Sequence, residues 1–211
     1  MQKPKLNLLY ELLPSNSDKA DKTELLIQLH GVGSNKEDLF SFAHMLPNKY
    51  TILSAQAPID YFGGFAWYNL YPGEDGFVSN IPEAKESLKA IKEFIESSID
   101  AFNAKPKVTL LGFSQGAILS LATALNNPNL IEKTVALSGY LNRDLLIREL
   151  KESEIPFFAT HGTQDQVITI EKAKKTYEFF KENDFNFKFK SYPMPHGVAP
   201  DCLQDVISFL K

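Results

Sequence analysis

The stretch Val108-Thr109-Leu110-Leu111-Gly112-Phe113-Ser114-Gln115-Gly116-Ala117 decides the fold. An apolar, β-prone run enters a Gly-x-Ser-x-Gly pentamer, and a helical pattern (Ala117, Ile118, Leu121, Ala124, Leu125) leaves it. A strand that turns so sharply into a helix needs minimal side chains at Gly112 and Gly116. It holds the Ser114 hydroxyl at the sheet edge, beside the amides of the helix N-terminus.

The same alternation extends in both directions. Residues 6–13, 24–30, 51–55, 107–113, 134–138, 156–161 and 187–192 read as strands, and four of these, starting with 24–30, are nearly continuous apolar runs, as a parallel sheet covered on both faces requires. Amphipathic stretches at 36–46, 82–102, 115–126, 143–152, 169–183 and 201–210 read as helices. In 82–102, Ala84, Leu88, Ile91, Ile95 and Ile99 recur at threes and fours, and Pro82 suits the first turn. The expectation is an α/β protein with a doubly wound, mostly parallel sheet of about seven strands and helices on both faces. Such sheets place ligands at the carboxyl ends of their strands. Residues 14–22 form a polar hairpin or loop. The Gly- and aromatic-rich residues 58–80 read as one long irregular segment, of a length typical of lids and binding loops.

Composition sets the outer limits. A chain of 211 residues with 44% hydrophobic residues is expected to form a single domain, 1–211, with ample core. A formal charge of −4 supplies no basic field for nucleic acid or an anionic membrane surface. One cysteine excludes an internal disulfide framework, and Cys202 reads as a small buried hydrophobe. No run approaches the roughly 18 apolar residues of a membrane span, and the N-terminus lacks a signal-peptide pattern, so the expected location is cytoplasmic.

An alcohol is a weak nucleophile near neutral pH and needs a base within hydrogen-bond reach. Of four histidines, His44 lies on the 36–46 helix, while His30 and His161 each end an apolar strand and read as supporting or core residues. His196, in Pro193-Met194-Pro195-His196-Gly197, follows the last strand and reaches the same carboxyl edge as Ser114. The base in turn needs a carboxylate to fix its tautomer. Asp165, in His161-Gly162-Thr163-Gln164-Asp165, follows a strand and is the favoured candidate over Asp144, which suits a helix cap, and Asp184, in a charged turn. Acyl transfer also needs donors for a developing oxyanion. The main-chain N–H of Gln115 is one, and Leu29-His30-Gly31-Val32-Gly33 offers the Val32 amide as the other.

These four motifs, in this order and over nearly the whole chain from Glu24, resemble the phospholipase/carboxylesterase family of α/β-hydrolases, which includes the acyl-protein thioesterases. The resemblance implies Ser114 as nucleophile, Asp165 and His196 as its relay, and Val32 and Gln115 as oxyanion donors. It implies a cofactor-free, metal-free serine carboxylesterase acting on small-molecule esters of short to medium acyl chain. A thioesterase or lysophospholipase sharing the machinery is the alternative, and a non-catalytic ligand-binding scaffold a remoter one. Gly33 followed by Ser34-Asn35, and the extra strand before Glu24, look more like the bacterial esterase branch. Trp67 and Phe65, in Tyr61-Phe62-Gly63-Gly64-Phe65-Ala66-Trp67-Tyr68, would wall an acyl pocket on this resemblance rather than pack as a satellite cluster. An exposed apolar patch near 58–71 would favour a homodimer.

Overall fold

The structure is a computed structural model that describes residues 3–16, 22–73, 76–147 and 154–211. Its elements are β1 (Tyr10–Leu13), β2 (Glu24–Leu29), α1 (Glu37–Phe40), β3 (Tyr50–Ala55), β4 (Ile59–Tyr61), β5 (Gly64–Ala66), β6 (Leu70–Gly73), β7 (Gly76–Ser79), α2 (Ile81–Ala101), β8 (Val108–Phe113), α3 (Gln115–Asn126), β9 (Ile131–Leu137), β10 (Phe157–Gly162), α4 (Ile170–Glu182), β11 (Phe187–Tyr192) and α5 (Pro200–Leu210). Seven strands form one sheet in the order β1-β3-β2-β8-β9-β10-β11. All neighbours in it are parallel except β1, which runs antiparallel to β3.

The near-continuous apolar strands arise because alternate residues serve two cores. Leu25, Ile27 and Leu29 of β2 pack on one face, with Ala84, Leu88, Ile91, Phe94 and Ile95 of α2 and with α3. Leu26 points to the other face, where Leu39 of α1 and Cys202, Leu203, Val206 and Leu210 of α5 cover it. Both faces are covered by helices, so neither needs alternating polar residues, and the period-2 signal fades from the sequence. Strand β11 lies at the sheet edge and keeps that signal, with Phe187 and Phe189 half-buried and Lys188 and Lys190 exposed. All of α3 is buried, which makes the helix that follows Ser114 the centre of the molecule. The N-terminus of α2 is capped by the Asn80 side chain, which accepts from the Glu83 amide at 3.3 Å.

Several expectations are corrected. Residues 6–13 supply a strand only from Tyr10, because the chain bends at Asn7–Leu8, and β1 pairs with β3 rather than forming a hairpin with β2. The helix expected over 36–46 is two short pieces, α1 and a 3₁₀ turn at Ala43–Met45. The helix expected over 143–152 is a 3₁₀ turn at Arg143–Leu145, with 148–153 outside the described residues. Residues 58–80 are not irregular: β4 pairs with β5 and β6 with β7, two antiparallel ribbons laid over the carboxyl edge of the sheet. Among the described residues, no helix is long and apolar enough to cross a membrane.

Candidate active site

The joint between β8 and α3 holds Ser114 at φ 52° and ψ −117°, a backbone region that costs a non-glycine residue energy. The two flanking glycines make the turn sterically attainable. A Cβ on Gly116 would stand 2.0 Å from the Leu29 carbonyl oxygen, and one on Gly112 2.3 Å from that of Gly116. The Ser114 amide donates to Leu137 O at 2.9 Å, and its carbonyl accepts from Ala117 and Ile118, so the turn is welded to β9 and α3.

His196 arrives from the loop after β11. Its ring lies 4.9 Å from that of Phe113, and the Ser138 hydroxyl donates to the neighbouring Gly197 carbonyl at 3.2 Å. His196 Nε2 is 2.9 Å from Ser114 Oγ, and its Nδ1 is 2.7 Å from Asp165 Oδ2. Asp165 follows β10, and its Oδ1 accepts the amides of Val167 and Ile168, both at 2.9 Å. Burial pushes this carboxyl up, but the His196 hydrogen bond and the two amides outweigh it and hold the group below the usual carboxylate range. An ionised carboxylate can only accept, so Nδ1 of His196 carries the proton and Nε2 is left to accept from the serine. The structure thus brings Ser114, His196 and Asp165 into one continuous chain of hydrogen bonds. It leaves Asp144 and Asp184 exposed, away from that chain, and His44 on the exposed side of its 3₁₀ turn.

A cavity of about 550 Å³ opens over Ser114 and is lined by Val32 and Gln115 as well. Among the described residues, the main-chain amides of Val32 and Gln115 meet no protein acceptor. The loop that carries Val32 is held from three sides. The Gly33 amide donates to Phe65 O at 2.8 Å, the Phe65 amide donates to Ser34 O at 2.7 Å, and Trp67 Nε1 donates to His30 O at 3.0 Å. His30 itself is buried, accepting the Ala57 amide at Nε2 (3.0 Å) and donating from Nδ1 to Gly31 O (2.7 Å). Burial pushes its pKa down, so the imidazole stays neutral in this role.

Trp67 and Phe65 therefore do not wall this cavity. Trp67 is fully buried, with its ring 5.6 Å from that of His30, and Phe65 is bonded to the 31–34 loop through its main chain. Both brace the Val32 loop, while the next residue, Tyr68, reaches the cavity with Leu70, Phe77 and Ile118. Two residues do more than their sequence reading assigned them, which gave Gln115 a main-chain amide alone and His161 a supporting or core place. The Gln115 side chain accepts the Trp67 amide (2.7 Å) and donates to Tyr68 O (2.8 Å), which ties the Ser114 turn to the ribbon β4–β5. His161 Nε2 lies 2.7 Å from Ile168 O and 3.2 Å from Asp165 Oδ2, so two imidazoles face one carboxylate oxygen. The one hint for Gln115 was its place directly after the serine. No group of three or more His, Cys, Asp or Glu positioned to hold a metal occurs among the described residues.

A parallel sheet with a serine on the turn after its central strand, a histidine after the last strand and an acid between them define an α/β-hydrolase. The phospholipase/carboxylesterase family matches residues 15–211, and the chain belongs to that family of hydrolases. It is 38% identical over 167 residues to acyl-protein thioesterase 1 of Kluyveromyces lactis, covering 72% of each chain. Over 221 residues it is 32% identical to acyl-protein thioesterase 1 of Candida albicans, covering 94% of this chain and 95% of that one. The crystal structure of esterase PE8 superposes with a TM-score of 0.87 over 97% of this chain and 98% of the other, at 23% identity.

Proposed function

We propose that the protein is a serine carboxylesterase that hydrolyses short to medium acyl esters through an acyl-enzyme. The supporting observation is the unbroken Ser114–His196–Asp165 chain, at 2.9 and 2.7 Å, whose serine lines a cavity. Ser114 Oγ attacks the ester carbonyl as His196 Nε2 takes its proton. The carbonyl oxygen becomes an oxyanion that accepts from the Val32 and Gln115 amides, which belong to residues lining the cavity and meet no protein acceptor among the described residues. Collapse of the tetrahedral intermediate breaks the C–O bond, and His196 returns the proton to the departing alcohol. Water then enters, gives a proton to His196 and attacks the acyl carbon, which releases the acid and restores Ser114. Asp165 stays ionised and stabilises the imidazolium in both halves.

The first test is Ser114→Ala. It leaves a folded protein whose kcat on a nitrophenyl ester is lower by on the order of 10⁶, and a variant keeping a tenth of wild-type turnover overturns the assignment. A thioester fits the same steps with sulfur as the leaving atom, and the curated relatives carry thioesterase names. Comparing kcat/KM on oxygen and sulfur esters of one acyl group separates the two readings.

A further inference from the structure

Asp165 sits on a loop, and a carboxyl group turns easily about its last torsion, whose energy well is broad. The amides of Val167 and Ile168 hold Oδ1. Oδ2 has a second neighbour besides His196. His161 stands next to the end of β10 and is fully buried. Its strand pairs with β9 on one side and β11 on the other. The following residue packs so closely that a Cβ on Gly162 would stand 2.2 Å from the Met194 carbonyl oxygen. From this rigid base, His161 Nε2 lies 2.7 Å from Ile168 O and 3.2 Å from Asp165 Oδ2.

Both neighbours of Nε2 are acceptors, so that nitrogen carries the ring proton. The shorter contact goes to the carbonyl, and the longer one sets a second donor beside the oxygen that takes His196 Nδ1 at 2.7 Å. Ile168 closes the arrangement, since its amide donates to Oδ1 while its carbonyl faces the His161 ring. Packing alone does not explain the residue. His161 Nδ1 is buried with no hydrogen-bond partner among the described residues, and an orphaned polar group lowers stability. An aliphatic side chain would fill the space without that loss, but it could not donate to Asp165. We propose that His161 is a positioning residue of the hydrolysis: from the sheet it pins Asp165 Oδ2 toward His196 Nδ1, and acts on the rate through Asp165 alone. The proposal rests on the hydrolase reading and deepens it.

The test begins with His161→Leu, which removes the donor, assayed on a nitrophenyl ester. The expected result is a kcat lower by roughly 10–100-fold with KM unchanged, because a catalytic group displaced by about 1 Å loses that much while substrate contacts stay in place. His161→Gln restores most of the rate, since its amide offers two donors near the place of Nε2, one for Ile168 O and one for Asp165 Oδ2. In an Asp165→Asn background the leucine substitution costs nothing further in kcat, having no carboxylate left to orient. An unchanged kcat, a loss confined to KM, no recovery in His161→Gln, or an equal loss in both backgrounds overturns the proposal. Histidine ¹⁵N spectra of Ser114→Ala read the ring without turnover, whether or not the leucine variant folds. With four histidines in the chain, the His161 signals are assigned by their loss in His161→Gln. The proton is expected on Nε2, with a resonance that moves when Asp165→Asn is added. A proton on Nδ1, or a resonance indifferent to Asp165, overturns the proposal. Spectra as expected from a wild type that cleaves no ester keep the pinned carboxylate and remove the hydrolase reading, and full turnover in His161→Leu does the reverse.

Discussion

At the scale of single residues, Ser114 has a conformation that only its function explains. Its φ is 52°, and a positive φ of 44–53° is also held among the described non-glycine residues by Phe62, Asn103, Ser138 and Asp184, of which Ser138 also serves the site, through Gly197. Strain of this kind costs about 1–3 kcal/mol, whereas glycine at the position gives up roughly 0.5–1 kcal/mol through the greater freedom of its unfolded chain. Ser114→Gly is therefore expected to be inactive yet more stable by about 1 kcal/mol, measured by urea unfolding, and a loss of stability would show that the turn is unstrained. The three chain-forming residues could be read in the sequence because each sits at a strand end, where topology alone decides its edge. Trp67 could not. An aromatic in a glycine-rich segment packs equally well on a ligand or on a loop, and only the buried hydrogen bond from Nε1 to His30 O chooses the second.

At the scale of elements, the ribbon β4–β5 acts as a clamp between the Val32 loop and the Ser114 turn. Gln115 grips it from below through Trp67 and Tyr68, and Trp67 Nε1 and the Phe65 main chain hold the loop above. Gln115→Ala strands a buried amide and a buried carbonyl, and Trp67→Phe strands the His30 carbonyl. Each should destabilise by about 1–3 kcal/mol for every polar group left unpaired and lower kcat by roughly tenfold with little change in KM, because the substrate's ground-state contacts survive while the oxyanion donor drifts. Both substitutions act on one clamp, so the double variant should lose less than the sum, and simple additivity in kcat would refute the coupling. This ribbon was illegible in the sequence for a definite reason. Its two-residue turn has φ 44° at Phe62 and 88° at Gly63, a geometry usually announced by Asn-Gly, and phenylalanine conceals it. Phe62 projects into solvent, 97% exposed. The 36–46 segment failed differently: Leu39, Ala43 and Leu46 are buried at helical spacing, but Leu46 bonds back to Ala43 and Met45 to Phe42. Over so few turns, spacing reveals which side chains face the core and not which carbonyl closes each turn.

At the scale of the whole molecule, two buried groups give the stability a two-stage dependence on acid. His30 is kept neutral chiefly by burial, with Gly31 O and the distant Asp38 opposing the shift only in part, so its folded pKa lies below the unfolded value of about 6.5. Once pH falls below that value the unfolded chain binds a proton that the native site resists, and stability declines. Asp165 behaves differently. Its folded pKa is depressed below about 3.9, so the stability it contributes is complete above that pH and is lost as pH falls further toward the folded value. Thermal unfolding followed from pH 7 to pH 3 should therefore show one decline starting near neutrality and a second, steeper one below about pH 4. In His30→Gln the first stage flattens, since an amide has no proton to gain, while the second persists. In Asp165→Asn the second becomes shallower while the first persists, the remainder coming from Glu11, Glu24 and Asp205, whose lysine partners also hold their carboxyls below the usual range. Profiles of both variants running parallel to wild type would mean that neither site senses acid through folding, and the bracing of the Val32 loop by a neutral imidazole would have to be abandoned.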